Sequence, residues 1–535
     1  MVTPASISRI DQPLVPWALL SHQKTQTILG FDPMSPERFS IYAEQLTPWS
    51  SPFLLPDGRQ KLSKDLVAYN QSIGQDEIAI QQARLLQDPE TLAVVTGQQA
   101  GLCLGPLYTV YKIVTAILLA KAQSEALKRP VVPIFWNATE DHDMSEVLQV
   151  SHIQRTFTAE APRAGIAAER LALEGSIRDT LNAYLESITI PQFKEDLTAW
   201  LNQPHDSYGP FSSALVAKLF AGTGLVILEP RLLRPYTGAF WEQVLSAPKA
   251  VAKALTEGSS QMESLGLEPA FSPDHECGLF EIMDDGIRRK VLLREDERLL
   301  LDDEWMVAAD VLVHMQQEPG RYSTSAYLRP VLQGALLPTL AYVAGPGEFK
   351  YHLQLRPLFD HLKVPMPILH LRNQATLLSA KESLLAARLK LDDEALFSPR
   401  EAFYYREELS SEDEDALESA NIRFDYLMEH LERDLTFKTD PRRIAAFRAR
   451  WQQELTRLKQ KMHADFLRQA GIDNGRVDRL FDVVRPGNKP QERVLSILPF
   501  LEVTGFELIG LLMDTFKADS HEHLVIHLEQ TRLHS

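Results

Sequence analysis

Residues 92–106 read LAVVTGQQAGLCLGP, and this stretch decides the fold. The four apolar residues at its start predict a short buried strand, and the glycines that follow predict a tight loop. An apolar helix is predicted over Tyr108–Leu127, followed by a second buried strand over residues 131–136. Strand, glycine loop, helix and strand in this order predict a Rossmann-like βαβ unit.

The same order of elements recurs at residues 339–371, where a strand leads into a second glycine loop and a helix. Both loops lie in runs without any charged residue, 91–111 and 330–347. The first run is long enough to span a bilayer, but its glycines and Pro106 favour a buried strand and loop. Two uncharged, glycine-bearing loops indicate the walls of a pocket.

The composition is that of a globular protein, with 44% hydrophobic and 24% charged residues among 535. Lys plus Arg number 55 and Asp plus Glu 72, a net charge of −17. This balance argues against nucleic acid or an anionic membrane as a partner. Two cysteines, Cys103 and Cys277, and a start without a secretory signal pattern predict a reducing, cytoplasmic location.

The pattern divides the chain into six parts. They are a mostly helical part of the core (1–90), the βαβ unit (91–149), a helical insert (150–222), the rest of the α/β core with an insert around 235–325 (223–375), a helical arm (376–487) and a C-terminal return to the core (488–535). Within the arm, apolar residues spaced three and four apart from Ile444 to Phe466 predict an antiparallel coiled-coil pair. The alternative is a small helical bundle packed on the core.

The first glycine loop supplies six candidate binding residues. They are Thr96, Gly97, Gln98, Gln99, Gly101 and Gly105. Backbone amides at a helix N-terminus bind phosphate or carboxylate groups, and glycines let them approach. The alternative is that the glycines serve tight packing of the helix on the strand.

Four ionisable residues, Glu140, Asp141, His142 and Asp143, directly follow the second strand. Ligands of open α/β sheets bind beyond the carboxyl ends of the strands, so these residues are candidates for ammonium binding and general-base catalysis. A divalent metal is a weaker reading, because the spacing matches no standard zinc signature, and no metal site is predicted. The alternative is that Asp141 or Asp143 caps the next helix.

The second glycine loop, with Gly345, Gly347 and Glu348, is a candidate for the opposite wall of the same pocket. Arg329 flanks the preceding uncharged run and is either an anion clamp or one end of a salt bridge at a helix terminus. Near the C-terminus, His523 and His527 fall on one face of an alternating strand. We expect a surface strand there and not a metal site.

Four segments carry a resemblance to a known family. They are VVTGQQAGLCLGPLYTVYK (94–112), PVVPIFWNATEDHDMSEV (130–147), LLPTLAYVAGPGE (336–348) and PQERVLSILPFLEVTGFELI (490–509). In this order they resemble the cysteine ligase family of bacillithiol biosynthesis, over essentially the whole chain. The resemblance implies an α/β fold, a Rossmann-like core with inserted connecting-peptide-type subdomains and a long α-helical coiled-coil domain that carries homodimerisation.

The resemblance also implies a reaction, the addition of cysteine to the amine of glucosaminyl-malate. Amide formation from a free carboxylate needs activation, so ATP with Mg²⁺ is expected. The glycine loop would hold phosphate or carboxylate, the acidic residues at 140, 141 and 143 an ammonium, and His142 would take the proton of the attacking amine. Arg329 or Arg356 would clamp the malate carboxylates. The synthetase signatures HIGH and KMSKS are absent from this sequence.

Two other functions stay open on the sequence. One is a metal-dependent hydrolase acting on a sugar conjugate, with residues 140–143 as ligands. The other is a nucleotide-binding scaffold whose function lies in the coiled-coil arm.

Overall fold

The computed structural model describes residues 4–10, 23–33, 35–153, 155–264, 266–272, 276–389, 391–398, 411–434, 441–469, 474–520 and 522–528. The chain divides into two compact units, one of Met1–Leu377 with Glu492–Ser535 and one of Leu378–Gln491. Among the described residues, no helix has the length and apolar character needed to cross a membrane. The uncharged run at 91–111 instead forms a strand, a loop and the start of a helix.

The strands are β1 (Pro4–Ile10), β2 (Leu92–Gln99), β3 (Val131–Ala138), β4 (Gln149–His152), β5 (Arg155–Thr158), β6 (Val226–Leu228), β7 (Glu276–Ile282), β8 (Arg288–Leu292), β9 (Leu299–Leu301), β10 (Glu304–Met306), β11 (Tyr322–Thr324), β12 (Thr339–Ala344), β13 (Ile368–Leu371), β14 (Gln374–Leu378) and β15 (His523–Leu528).

The α-helices are α1 (Gln23–Leu29), α2 (Arg38–Leu46), α3 (Gly58–Ser72), α4 (Glu77–Leu85), α5 (Tyr108–Leu127), α6 (Met144–Val147), α7 (Ser176–Ser187), α8 (Pro191–Leu201), α9 (Tyr208–Leu219), α10 (Gly238–Ser246), α11 (Pro248–Ser264), α12 (Ala308–Gln317), α13 (Arg329–Leu336), α14 (Pro346–Gln354), α15 (Arg356–His361), α16 (Ala380–Arg388), α17 (Asp393–Leu396), α18 (Ser411–Asp434), α19 (Pro441–Gln469), α20 (Asn474–Val484), α21 (Leu498–Thr504) and α22 (Leu508–Thr515).

A five-stranded parallel sheet forms the centre of the first unit, in the order β13-β12-β2-β3-β6. Val95 of β2 pairs with Tyr342 of β12 on one side and with Ile134 of β3 on the other. Strands buried on both faces need apolar residues throughout, which the 92–95 and 131–136 segments supply. The predicted α/β class is confirmed, and the carboxyl ends of β2, β3 and β12 meet at one edge.

Helix α5 connects β2 to β3 and completes the predicted βαβ unit. Its two apolar faces pack into different parts of the core, Val110 and Ile113 into one cluster and Leu119 into another. A helix buried on both sides has little tolerance for charge. Lys112 nevertheless lies one turn from its start and is almost fully buried.

The insert between β6 and β12 carries an antiparallel sheet in the order β11-β7-β8. Its β7–β8 hairpin turns at Asp285 and Gly286, and Gly286 has a φ of 84°. A backbone position with positive φ favours glycine, because glycine has no Cβ. The hairpin places Arg288 at the first position of β8.

The C-terminal strand β15 differs from its prediction. It is the central strand of the sheet β1-β15-β14, and its residues from His523 to Ile526 are all buried. The ring nitrogen Nε2 of His523 lies 2.9 Å from the Thr376 hydroxyl. The prediction of a surface strand was wrong because alternation of histidine and apolar residues does not reveal a neighbour on both edges.

The second unit contains the predicted coiled-coil pair, α18 and α19. Trp451 donates from its indole nitrogen to Asn421 over 3.2 Å, and Arg448 lies 3.9 Å from Asp425. Contact positions rise along one helix as they fall along the other, so the two helices run antiparallel. The rings of Phe424 and Trp451 stack at 4.4 Å between them.

Candidate functional site

A cavity of about 180 Å³ lies at the carboxyl ends of β2, β3 and β12. It is lined by Gly97, Gln98, Gln99, Trp136, Ala138, Glu140, Asp141, Arg288, Thr324, Ser325, Ala326, Arg329, Tyr342, Glu348 and Tyr351. These residues come from the parallel sheet, from the inserted hairpin with β11, and from the starts of α13 and α14. The topology therefore joins segments that are up to about 250 residues apart.

Seven of the residues predicted from the sequence line this cavity. They are Gly97, Gln98, Gln99, Glu140, Asp141, Arg329 and Glu348. The other eight predicted residues lie outside its lining. They are Thr96, Gly101, Gly105, His142, Asp143, Gly345, Gly347 and Arg356.

A buried ion pair closes one side of the cavity. Lys112 Nζ lies 2.6 Å from Glu348 Oε2, and it also donates to the Gly97 carbonyl and, over 3.2 Å, to Gln98 Oε1. Burial lowers the pKa of Lys112, although Glu348 opposes this shift. Burial alone would raise the pKa of Glu348, but the lysine ammonium outweighs it and the pKa is lowered. The contacts of Lys112 with Gly97, Gln98 and Glu348 hold the two glycine loops together.

Arg329 is packed among aromatic rings beside this pair. Its guanidinium lies 5.6 Å from the centre of the Trp136 ring and donates to the Tyr342 hydroxyl over 3.2 Å. The Tyr342 hydroxyl in turn donates to Glu348 over 3.0 Å. Arg329 is 9% exposed and also bonds Gln333.

Of the carboxyl groups at the cavity, Glu140 has the weakest compensation of its negative charge by hydrogen bonds and positive charges. It is 6% exposed, and its salt-bridge partner Arg234 is 4.0 Å away. Arg234 itself makes two shorter bonds, of 2.7 and 2.8 Å, to Glu169. Burial raises the pKa of Glu140, an effect that the charges of Arg288 and Arg234 oppose. A buried carboxyl group with a raised pKa is suited to accept a proton near neutral pH.

Arg288 faces Glu140 from the inserted hairpin. It donates to the Ser323 hydroxyl over 3.0 Å, to the Thr324 carbonyl over 2.5 Å and to His142 Nδ1 over 3.1 Å. Three of its five N–H groups are accounted for by these bonds. Within the part of the chain that the structure describes, no carboxylate lies within 4.0 Å of its guanidinium.

His142 is oriented by this contact. Burial and then the charge of Arg288 lower the pKa of His142, so the ring is neutral at neutral pH. A guanidinium only donates, so Nδ1 of a neutral ring accepts and the proton lies on Nε2. In this arrangement His142 has no ring nitrogen free to take a proton from a substrate amine.

The two aspartates of the cluster have different partners. Asp141 accepts the backbone N–H groups of His142 and Asp143 through Oδ1, and the Gln99 amide over 3.0 Å through Oδ2. Asp143 caps α6, accepting the Ser145 N–H over 3.2 Å. Asp141 thus faces the cavity, whereas Asp143 takes the capping role that the sequence left open.

The first glycine loop splits into two parts. Gly97 and the two glutamines line the cavity, but residues 100–105 are buried behind them. A Cβ on Gly101 would lie 2.6 Å from Gly105 Cα, and Gly105 has a φ of 66°. These two glycines therefore permit close packing of backbone on backbone.

Three further predicted residues have structural partners away from the lining. Thr96 donates to the Val343 carbonyl inside the sheet. Gly345 donates its N–H to Glu348 Oε2 over 2.8 Å, so a carboxylate already occupies the N-terminus of α14. Arg356 bonds Asp360 and the Leu29 carbonyl.

Several residues that line or support the cavity were missed at the sequence level. Lys112, which supports the wall, carried a usable signal, because it is a charge within the apolar first half of its helix. Arg288, Thr324 and Tyr342 carried none, because only the fold brings the hairpin and β12 to the end of β2.

The cavity does not by itself enclose a whole nucleotide. The volume of about 180 Å³ is below the roughly 300–1,000 Å³ of pockets for larger ligands, and Glu348 occupies the nearest helix N-terminus. Among the described residues, no three His, Cys, Asp or Glu side chains are grouped so as to hold a metal ion.

Two family models together match most of the chain. The model described as bacillithiol biosynthesis BshC, N-terminal Rossmann-like domain, matches residues 8–373. The model described as bacillithiol biosynthesis BshC, C-terminal coiled-coil domain, matches residues 375–528.

Curated relatives agree with these models. Proteins named "Putative cysteine ligase BshC" are 29% identical in Salinibacter ruber, 32% in Symbiobacterium thermophilum and 32% in Heliobacterium modesticaldum. The alignments cover 88%, 85% and 86% of this chain and 89%, 87% and 87% of those proteins. The Rossmann-like and coiled-coil architecture, the family resemblance and the ligase class predicted from the sequence are thereby confirmed: the chain belongs to the BshC family of bacillithiol biosynthesis.

Proposed function

We propose that this protein joins the carboxyl group of cysteine to the amine of glucosaminyl-malate and so forms bacillithiol. One observation carries the proposal. Buried Glu140 and the guanidinium of Arg288 line one small cavity without bonding each other, at the sheet edge where α/β proteins bind ligands. A ligation site needs such a pair, because one substrate brings a carboxylate and the other an amine.

The bond-forming step assigns a role to Glu140. The substrate amine attacks the activated carboxyl carbon, the C–N bond forms, and the activating group leaves with the electrons of its bond to carbon. The amine nitrogen must lose a proton, and the Glu140 carboxylate accepts it. His142 is not used, because its Nδ1 accepts from Arg288.

Activation of the carboxyl group is proposed to depend on ATP with Mg²⁺, since amide formation from a free carboxylate is uphill. ATP supplies the leaving group when it is bound. The cavity does not by itself enclose a whole nucleotide, so no step is assigned to a residue that would hold it.

Reconstitution tests this function. Purified protein is incubated with cysteine, glucosaminyl-malate, ATP and Mg²⁺, and bacillithiol is measured by mass spectrometry. We expect product that disappears when any one component is omitted. Product at the same rate without ATP would contradict ATP-dependent activation, and no product from the complete mixture would contradict the proposed ligation.

Homodimerisation through the arm is also proposed, together with a cytoplasmic location. The coiled-coil pair leaves large apolar side chains exposed, among them Ile422 at 60% and Tyr426 at 64%. Both lie on one side of α18, four residues apart. An apolar stripe of this kind is suited to bind a second copy of the arm.

A further inference from the structure

We infer that the cavity is the seat of the amino-acid substrate, with Arg288 binding its α-carboxylate and Asp141 its α-ammonium. This inference rests on the proposed function and specifies which substrate occupies the site.

The size of the cavity is suited to the smaller substrate. It measures about 180 Å³ and opens to solvent, so an amino acid such as cysteine fits inside, whereas a sugar conjugate such as glucosaminyl-malate would extend beyond it. The conjugate must still bring its amine to this opening for the bond to form.

Arg288 has donors to spare at the cavity. Its bonds to Ser323, Thr324 and His142 fix the plane of the guanidinium and leave two N–H groups. Hydrogen bonds from a charged guanidinium to a carboxylate are among the stronger ones in proteins. Arg288 comes from the hairpin that faces Asp141 and Glu140, whereas Arg329 is packed against the Trp136 and Tyr342 rings on the side of Glu348.

Two buried polar atoms make this wall of the cavity better suited to a ligand that accepts hydrogen bonds. Trp136 Nε1 and Thr324 Oγ1 have no hydrogen-bond partner among the described residues, and both residues line the cavity. Trp136 is 1% exposed and Thr324 is 2% exposed. A buried donor without a partner costs about 1–3 kcal/mol, so a ligand that supplies acceptors here is favoured.

Asp141 is the matching acceptor for the ammonium. Its carboxylate is held by two backbone N–H groups and by Gln99, and it lines the cavity. The adjacent residue His142 is bonded to Arg288, and the charge of Asp141 acts on that of Arg288. An amino acid carries its ammonium and its carboxylate on the same α-carbon, so it needs an acidic and a basic side chain at one cavity.

The inference is tested by calorimetric titration with cysteine and two probes that each lack one charge. Cysteamine lacks the carboxylate, and 3-mercaptopropionate lacks the ammonium. The variants are Arg288→Gln and Asp141→Asn, each measured with and without glucosaminyl-malate. Asparagine retains an oxygen for the two backbone N–H groups, so the turn is preserved.

Arg288→Gln is expected to weaken cysteine binding by about tenfold or more and to leave cysteamine binding within about twofold. Asp141→Asn is expected to weaken cysteine and cysteamine by about tenfold or more and to spare 3-mercaptopropionate. The exposed neighbours supply matched controls, Arg289→Gln and Asp303→Asn, which should bind all three compounds as the wild type does.

The inference is overturned if wild type binds cysteine under neither condition, or if both variants bind it with wild-type affinity. It is also overturned if each variant has the circular dichroism of the wild type and yet weakens all three compounds equally, because neither side chain would then recognise its own charge. If the expected pattern appears but the complete reaction mixture gives no bacillithiol, the amino-acid site stands and the proposed function fails. If product forms at the wild-type rate in both variants, the function stands and the site assignment fails.

Discussion

Lys112 and Glu348 show how one buried pair supports the site. The lysine side chain is 1% exposed. Its ammonium contacts the end of strand β2, a glutamine of the loop and the Glu348 carboxylate. Burying a charge is costly unless it is paired and hydrogen-bonded, as it is here. The pair therefore fixes the two loops that form the cavity walls. It does so only when both partners are present.

Removing one partner of this pair should destabilise the fold more than removing both. We expect Lys112→Met to lower the free energy of unfolding by about 3–5 kcal/mol, because Glu348 loses its counter-charge. The double variant Lys112→Met/Glu348→Gln should lose less than the single variant, as measured by chemical denaturation. Lys61 forms an exposed salt bridge and supplies the control. The substitution Lys61→Met should have a far smaller effect on the free energy of unfolding. Equal losses in the single and double variants would contradict the coupling.

The raised pKa of Glu140 has a consequence for stability. The folded state holds the carboxyl proton more tightly than the unfolded chain, whose glutamates have a pKa of about 4.3. Stability from this group is therefore present at low pH and is lost as pH rises through the interval between the two pKa values. The charged form of Glu140 thus destabilises the fold at neutral pH.

Glu140→Gln should accordingly be more heat-stable than the wild type at pH 7. The gain in melting temperature should shrink as the pH is lowered toward 4, where the wild-type carboxyl group is protonated. Exposed Glu160→Gln is the control and should show no such trend. A variant less stable than wild type at pH 7 would indicate that the carboxylate stabilises the fold.

At the scale of elements, the glycine loop shows what sequence patterns can and cannot predict. The strand, loop and helix at 92–127 were predictable, because apolar runs and glycines are local signals. Which glycine faces a ligand was not, because it depends on the approach of residues 101 and 105 to each other. The contribution of the β7–β8 hairpin was likewise hidden, since Arg288 is recruited by tertiary packing.

Gly101→Ala tests the packing role of this loop. The added Cβ would lie 2.6 Å from Gly105 Cα, where only backbone could move. We expect a loss of about 1–3 kcal/mol in the free energy of unfolding, measured by denaturation. Gly510→Ala is the control, because no atom lies within 4 Å and alanine favours a helix by about 0.5–1 kcal/mol. If Gly101→Ala leaves the free energy of unfolding unchanged, the packing role is contradicted and the loop is available for ligand binding.

At the scale of the whole molecule, the exposed apolar side chains of the arm should decide the oligomeric state. We expect Ile422→Glu/Tyr426→Glu to be monomeric by light scattering, while the wild type is dimeric and the helical circular dichroism of both is equal. Charges on a buried apolar interface cost more than the contacts they replace. Ala420→Glu, exposed on the other side of the same helix, is the control. A monomeric wild type, or a double variant that stays dimeric, would contradict the proposal.

The division of the chain into a Rossmann-like core and a coiled-coil pair was predictable because both depend on repeated local patterns. The αβ alternation of the first unit and the three-and-four spacing around Trp451 are such patterns. The site was only half predictable, because Glu140 and Gln99 follow their strands directly whereas Lys112 and Arg288 reach the cavity from a helix and an insert.

The rate of bacillithiol formation by Glu140→Gln, measured from pH 5 to pH 9, tests the central claim most directly. Glutamine keeps the shape of the side chain but cannot accept a proton. The account predicts a fall of about 10²–10⁴-fold in kcat and loss of the acidic limb, along which wild-type activity rises with pH as Glu140 ionises. A variant with the wild-type rate and the wild-type pH profile would contradict it.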